Sequence, residues 1–224
     1  IKKTNYIIKK SIIPKKKTKI IQSKFKSFYK KKYTQPYVPI HAEGPWIGFD
    51  TDKVIYDSGG YGMLGFGHNN KDILHSLSKP QIMANIMTPN INQYLFSEKM
   101  DNEIGNTNNT KPYSHYMCLN SGSEINSLAL RISNIHKNKN PVRINLKGSF
   151  HGRTDGPAIL SDSCKNVYSD NLSSFSNSNI YSVEPNNIDN LNKVFDDIKE
   201  NNEFPEVFIM EPVMGEGMPG LSIN

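Results

Sequence analysis

Cysteine is almost missing from this chain. Cys118 and Cys164 are the only two in 224 residues, too few for a disulfide framework and without the paired spacing of a zinc site. An intracellular, reducing compartment is therefore expected, and no metal ligand set is assigned. Long apolar runs are missing as well: none approaches the roughly 18 residues a membrane span requires. Acid is absent from the first 42 residues, which hold 13 lysines, while the remainder carries 14 basic against 21 acidic side chains. The formal charge of +6 thus belongs to an arm, not to a basic body. Arginine is scarce, 3 against 24 lysines. That disfavours a transit segment, which usually prefers arginine, and with 27 asparagines it fits a codon bias.

Residues 1–35 are expected to be a poorly ordered or leader-like basic arm. Cytoplasm follows for the simple terminus, mitochondrion if the arm is a transit segment, and an anionic nucleic acid or membrane is the other partner such a run could meet. The first residue is Ile, so a start and part of a leader are expected to precede it.

Beyond the arm, Pro45 to Asp57 reads as two short strands around an Asp-rich turn. "NKDILHSLSK" and "QYLFSEKMDNEIG" read as helices, the second closing at Gly105. From Tyr116 the pattern becomes strand, turn, helix, repeated: "YMCL" into "NSGSE" and a helix, "VRINL" into "KGSFHGRT", "IYSV" into a helix with Ile188, Leu191, Val194, Phe195 and Ile198 in phase, and "EVFIM" into "EPVMGEG". Such alternation predicts an α/β fold with a mostly parallel sheet, whose ligands bind beyond the carboxyl ends of the strands.

"GGYGMLGFGH", Gly59 to His68, contains G-x-G-x-x-G at Gly60, Gly62 and Gly65. The dinucleotide reading fails on context, since no helix opens at Gly65 and no acid follows about 20 residues on to hold a ribose. Five glycines in nine residues still make a backbone that can turn tightly and approach something closely.

Three later turns carry the chemistry. Ser121, Gly122 and Ser123 stand where a helix begins, which makes either a phosphate site on free amides or a plain capping box, Ser121-x-x-Glu124. Phe150 and His151 end the next strand and could lay an aromatic face on a flat heterocycle, or be a core Phe and a surface His. Glu211 ends a very apolar strand, as a site carboxylate or a surface acid, with Gly215 and Gly217 flanking Glu216.

In order and character these turns resemble the class III pyridoxal-phosphate-dependent aminotransferases, the group of ornithine, acetylornithine and 4-aminobutyrate aminotransferases. "NSGSE" is similar to the N-S-G-[TSA]-E phosphate turn, "SFHGRT" to F-H-G-R-T, "EPVMGEG" to E-P-V-Q-G-E-G, and "SGGYGMLGFGH" to a glycine-rich stretch ending in L-G-H. The resemblance covers Pro36 to the last residue. It implies a three-layer sandwich of fold type I, incomplete here, with 36–75 as the N-terminal segment of the small domain and 76–224 as the first part of the large one.

It also implies pyridoxal 5'-phosphate as cofactor. Ser121, Gly122 and Ser123 would bind its phosphate, Phe150 would stack on the ring with His151 beside it, Glu211 would act on the hydroxyl side through its neighbours, and Glu216 would line the substrate pocket. An amino donor and an oxo acid would be the substrates, and a homodimer would place the site at its interface. Neither a nucleic acid nor a membrane is expected as partner. Met214 stands where the family has Gln, and Ile125 where it has Ala. The Schiff-base lysine and the aspartate on the pyridine nitrogen are expected beyond Asn224, so no catalytic residue is assigned within the chain. A transaminase half is the first reading; a truncated or inactive relative that keeps phosphate binding or a partner role is the second, and a basic nucleic-acid-binding protein the third. Aminomutase and decarboxylase variants of the fold stay open.

Overall fold

In the computed structural model, residues 2–11, 15–24, 37–50, 53–58, 65–82, 87–104, 113–135, 139–177 and 179–224 are described. They fall into two compact units, 1–93 and 94–224.

The first unit is built on an antiparallel sheet of β1 (Pro39–Glu43), β2 (Trp46–Phe49) and β3 (Val54–Tyr56) in that order. Aromatic and β-branched residues suit these strands because they pack across a ladder; Trp46 and Tyr56, directly opposite in register, meet edge to face at 5.3 Å. The strand pair around the Asp-rich turn is present, and β1 joins it as a third. The arm, expected to be poorly ordered, contains α1 (Lys2–Ser11) and α2 (Lys15–Lys24). Its alternation of lysine and aliphatic residues is what permits this: α1 packs on β1 and β2 with Ile7 fully buried. α3 (Lys71–Ser78) starts at Asn70, whose side chain accepts from the Asp72 and Ile73 amides. His68 pairs with Asp57 at 2.9 Å and exchanges two backbone bonds with Gly44. Gly60 and Gly62 of the glycine run, and Gly105, lie outside the described residues.

α4 (Ile91–Glu103) leads into the second unit, which continues with α5 (Gly122–Asn134), β4 (Pro141–Leu146), α6 (Asp155–Ile159), α7 (Lys165–Ser169), β5 (Ile180–Val183), α8 (Ile188–Glu200) and β6 (Phe204–Phe208). The strands form a parallel sheet in the order β5-β4-β6. Central β4 is covered on both faces, as parallel strands require. Val142, Ile144 and Leu146 point to one side, into a core with Val183, Met214 and the α8 residues Val194 and Ile198. Asn145 points to the other, donating to the Leu160 carbonyl at 2.7 Å above buried Ala158 and Ile159. A parallel sheet with helices on both faces is the α/β arrangement that the strand-turn-helix pattern predicts.

One expected strand is absent. Tyr116–Leu119 pairs with none of the described strands, and Met117 and Leu119 are exposed. An apolar, β-branched-poor segment becomes a strand only where a neighbour supplies its ladder. The last strand runs 204–208 instead of 206–210, although the Ile209 amide still donates to Ile144 O at 2.9 Å.

A charged strut ties these layers. Arg143 Nε lies 3.5 Å from a Glu206 carboxylate that is 5% exposed, while its Nη2 donates to Asn134 of α5 at 3.1 Å. Removing one member of a mostly buried pair leaves the other charge uncompensated. Glu206→Ala is expected to lower unfolding free energy by about 2–3 kcal/mol, measured by urea denaturation, with Arg143→Met/Glu206→Leu recovering most of the loss.

Candidate functional site

The expected turns meet at the carboxyl end of β4 in the second unit. At the start of α5, Ser121 is the N-cap, with extended φ −150° and ψ 156°. Its Oγ accepts from the Glu124 amide, and Glu124 Oε2 accepts from Ser121 N at 3.1 Å and Asn120 N at 2.8 Å. The capping box is therefore formed, and it occupies the Ser121 side chain. It leaves the amides of Gly122 and Ser123 without an acceptor among the described residues. A Cβ on Gly122 would meet nothing within 4 Å, so that face of the helix end is open. The cap and an anion site are compatible here, because they use different amides.

Ser123 turns towards the β4 loop. Its Oγ accepts from Arg153 N at 3.1 Å and its carbonyl from Thr154 Oγ1 at 3.0 Å. Between them Gly152, at φ +131°, lies so close that a Cβ would stand 2.9 Å from Ser123 Cα and 2.5 Å from its Oγ. Only glycine lets the two turns approach this closely.

The β4 loop itself has no ladder, and side chains from elsewhere hold its amides. Gly148 N–H donates to Asp162 Oδ2 at 2.7 Å, Phe150 N–H to Glu211 Oε2 at 2.8 Å and His151 N–H to Ser161 Oγ at 2.8 Å. Asn126 Nδ2 of α5 donates to the His151 carbonyl at 2.7 Å. Phe150 is half-buried, with the Arg153 guanidinium 5.9 Å from its ring centroid.

His151, expected as either a site or a surface residue, is buried at 5% exposure, and its Nε2 has no partner among the described residues. Burial pushes its pKa below the ordinary 6.5, with the Glu211 charge pulling the other way. Between that lowered value and about 6.5 the unfolded chain holds a proton that the folded chain does not. Stability is therefore complete above about pH 6.5 and falls below it, by up to about 1.4 kcal/mol per pH unit. Thermal melts from pH 7.5 to 5.5 check this, and His151→Gln is expected to flatten the curve.

Glu211 bridges two turns, since its other oxygen accepts from Gly215 N at 3.0 Å. Met214 is buried in the core of the unit, 1% exposed. Half-buried Glu216 and exposed Arg153 both act electrostatically on Tyr168, whose phenol pKa is raised by burial first, then by Cys164. The fold thus joins Ser123, Phe150, His151 and Glu211 through one hydrogen-bonded loop, turns the Ser121 side chain to its own cap, and sets Glu216 beside Tyr168. Ser161, Asn126 and Asp162 hold the loop and carry no motif that would single them out; Arg153, a charge in the "FHGRT" turn, was legible. Among the described residues no group of three or more His, Cys, Asp or Glu is placed to hold a metal, and no helix is long and apolar enough to cross a membrane.

The model of the class-III aminotransferase family matches residues 28–221. The chain belongs to this family. Among curated relatives, this class-III chain is 27% identical over 189 residues to an acetylornithine aminotransferase of Prochlorococcus marinus subsp. pastoris, covering 79% of the chain and 43% of that protein. Among solved structures, a taurine:2-oxoglutarate aminotransferase from Bifidobacterium kashiwanohense, in complex with PLP and glutamate, superposes with TM-score 0.69 at 14% identity, over 94% of this chain and 51% of the other. The PMP-bound aminotransferase of Vibrio fluvialis gives 0.68 at 16%, over 93% and 51%. The chain thus has part of the transaminase fold, and spans about half the length of the relatives it matches.

Proposed function

We propose that the complete protein containing this chain is a pyridoxal-phosphate-dependent aminotransferase that moves an amino group between an amine or amino acid and an oxo acid. The observation that carries this is the pair of amides at Gly122 and Ser123 with no acceptor among the described residues, at a helix N-terminus whose Gly122 face is open and which is joined through Ser123 to the Phe150–His151 loop, in a chain of this family. Those amides and the positive end of the α5 dipole suit a phosphate. Phe150 supplies an aromatic face and His151 a buried ring nitrogen with no partner among the described residues. Bound there, the cofactor would supply the electron sink for removing a proton next to the substrate amine.

Glu211 works at one remove in this reading, since its oxygens are taken by the Phe150 and Gly215 amides. Glu216 and Arg153, both near Tyr168, line the substrate side. Met214, in place of the family's glutamine, serves the core and offers no polar contact to a ligand. A homodimer with the site at its interface, an intracellular location, and 36–75 as small domain with 76–224 opening the large one complete the proposal.

Gly122→Glu tests it. A glutamate at the first position of a helix favours the helix by about 0.3–1 kcal/mol, and the open face at Gly122 accommodates it. The variant of the complete polypeptide is expected to keep or raise its melting temperature while losing at least about tenfold in pyridoxal phosphate affinity by equilibrium dialysis, because one carboxylate blocks the anion. Unchanged affinity would reduce the motif to a cap and overturn the reading.

A further inference from the structure

Ser161 is fully buried one residue beyond Leu160, at the end of the α6 turn. A serine there has no apolar use, and its hydroxyl is committed on both sides. The oxygen accepts from His151 N–H at 2.8 Å, and the single hydroxyl proton goes to the Pro157 carbonyl at 2.8 Å, with the Gly152 carbonyl at 3.3 Å as the alternative. The direction of the first bond is fixed because an amide can only donate. With Asn126 holding the His151 carbonyl at 2.7 Å, the backbone of His151 is pinned before and after its Cα. The ring is buried there, and its Nε2 has no partner among the described residues. Leaving a buried nitrogen unpaired is costly, and the Ser161 and Asn126 bonds hold it in place.

We propose that Ser161 is a positioning residue of the cofactor site: by capturing the His151 amide it fixes Phe150 and His151 where a bound pyridoxal phosphate meets them. This rests on the function proposed above. Without the hydroxyl, the His151 amide faces a methyl group, and the loop relaxes towards water until ligand binding forces it back.

The test uses the complete polypeptide as wild type, Ser161→Ala, Ser161→Cys and Tyr181→Phe. The last removes a hydroxyl that donates to Glu203 at 2.6 Å and accepts from Asn201 at 3.1 Å, outside the loop, and reports the cost of losing hydroxyl hydrogen bonds alone. Three readouts are taken: pyridoxal phosphate dissociation constant by dialysis, visible circular dichroism of the bound cofactor, and amide hydrogen exchange at His151 in the apo-protein. Ser161→Ala is expected to raise the dissociation constant about five- to thirtyfold, to change the dichroic band and to speed exchange at His151. Ser161→Cys, whose sulfur accepts weakly, should fall between, and gives the answer if the alanine variant does not fold. Tyr181→Phe should lower the melting temperature and leave affinity and dichroism unchanged. Ser161 variants that bind like wild type with the same dichroism overturn this proposal alone. A wild type that binds no pyridoxal phosphate overturns the functional reading and this proposal with it.

Discussion

Gly217→Ala is expected to cost more than about 4 kcal/mol, close to the whole stability of an ordinary domain. Gly217 sits at φ +68° in the turn after β6, against Gly148 at φ +78° in the turn after β4. A Cβ at 217 would overlap the Gly148 carbonyl oxygen and stand 2.8 Å from its carbonyl carbon and Cα. These are backbone atoms, so no rotamer change relieves the clash. Relief would move either the turn that carries Phe150 and His151 or the segment running from Glu211 through buried Met214. Gly220 provides the control, since it too has positive φ, +83°, but a Cβ there meets nothing within 4 Å. Gly220→Ala should show only the left-handed backbone penalty, about 1–2 kcal/mol. Urea midpoints of the two variants measure the difference; equal losses would mean that the two turns do not interlock.

How much of this was legible depends on how far apart in sequence the interacting atoms lie. β4, β5 and α8 were readable as "VRINL", "IYSV" and the Ile188-to-Ile198 pattern, because burial of a strand or a helix face is written in residues two to four apart. The capping box at Ser121 and Glu124 was readable for the same reason. Tyr116–Leu119 misled, because composition records an apolar preference but not whether a neighbouring strand is there to satisfy the backbone. The arm misled in the other direction: its lysines hid the fact that Ile7 reaches the sheet and is buried. Least legible was the scaffold of the site. Phe150 and Glu211 are 61 positions apart, and Asn126 and His151 are 25 apart; no periodicity links a serine or an asparagine to the amide it captures. Sequence identified the turns by their glycines and acids, and the fold supplied the bonds that aim them.

Glu211→Gln is the second large effect, and its pH dependence separates two roles of one carboxylate. As a carboxylate, Glu211 offers one oxygen to the Phe150 amide and the other to the Gly215 amide. Glutamine keeps one acceptor and places an NH2 group against the second amide, donor facing donor. The Gly215 contact is exposed and can turn to water, whereas the Phe150 amide is partly buried and cannot do so freely. A loss of about 2–3 kcal/mol is expected at pH 7.5, together with weaker cofactor binding as the Phe150 loop loosens. The second role is electrostatic: the Glu211 charge raises the pKa of His151, against the larger lowering by burial. Without that charge the folded imidazole resists protonation further, so the folded and unfolded chains differ in bound protons over a wider range below about pH 6.5. The deficit of Glu211→Gln relative to wild type should therefore stay level down to the lowered pKa of the wild-type imidazole and grow below it, where only the folded wild type takes up the proton. In a His151→Gln background the same substitution should carry a deficit that does not vary with pH. A deficit in the single variant that stays constant even through the pH at which wild-type His151 protonates would show that Glu211 anchors the loop without acting on His151.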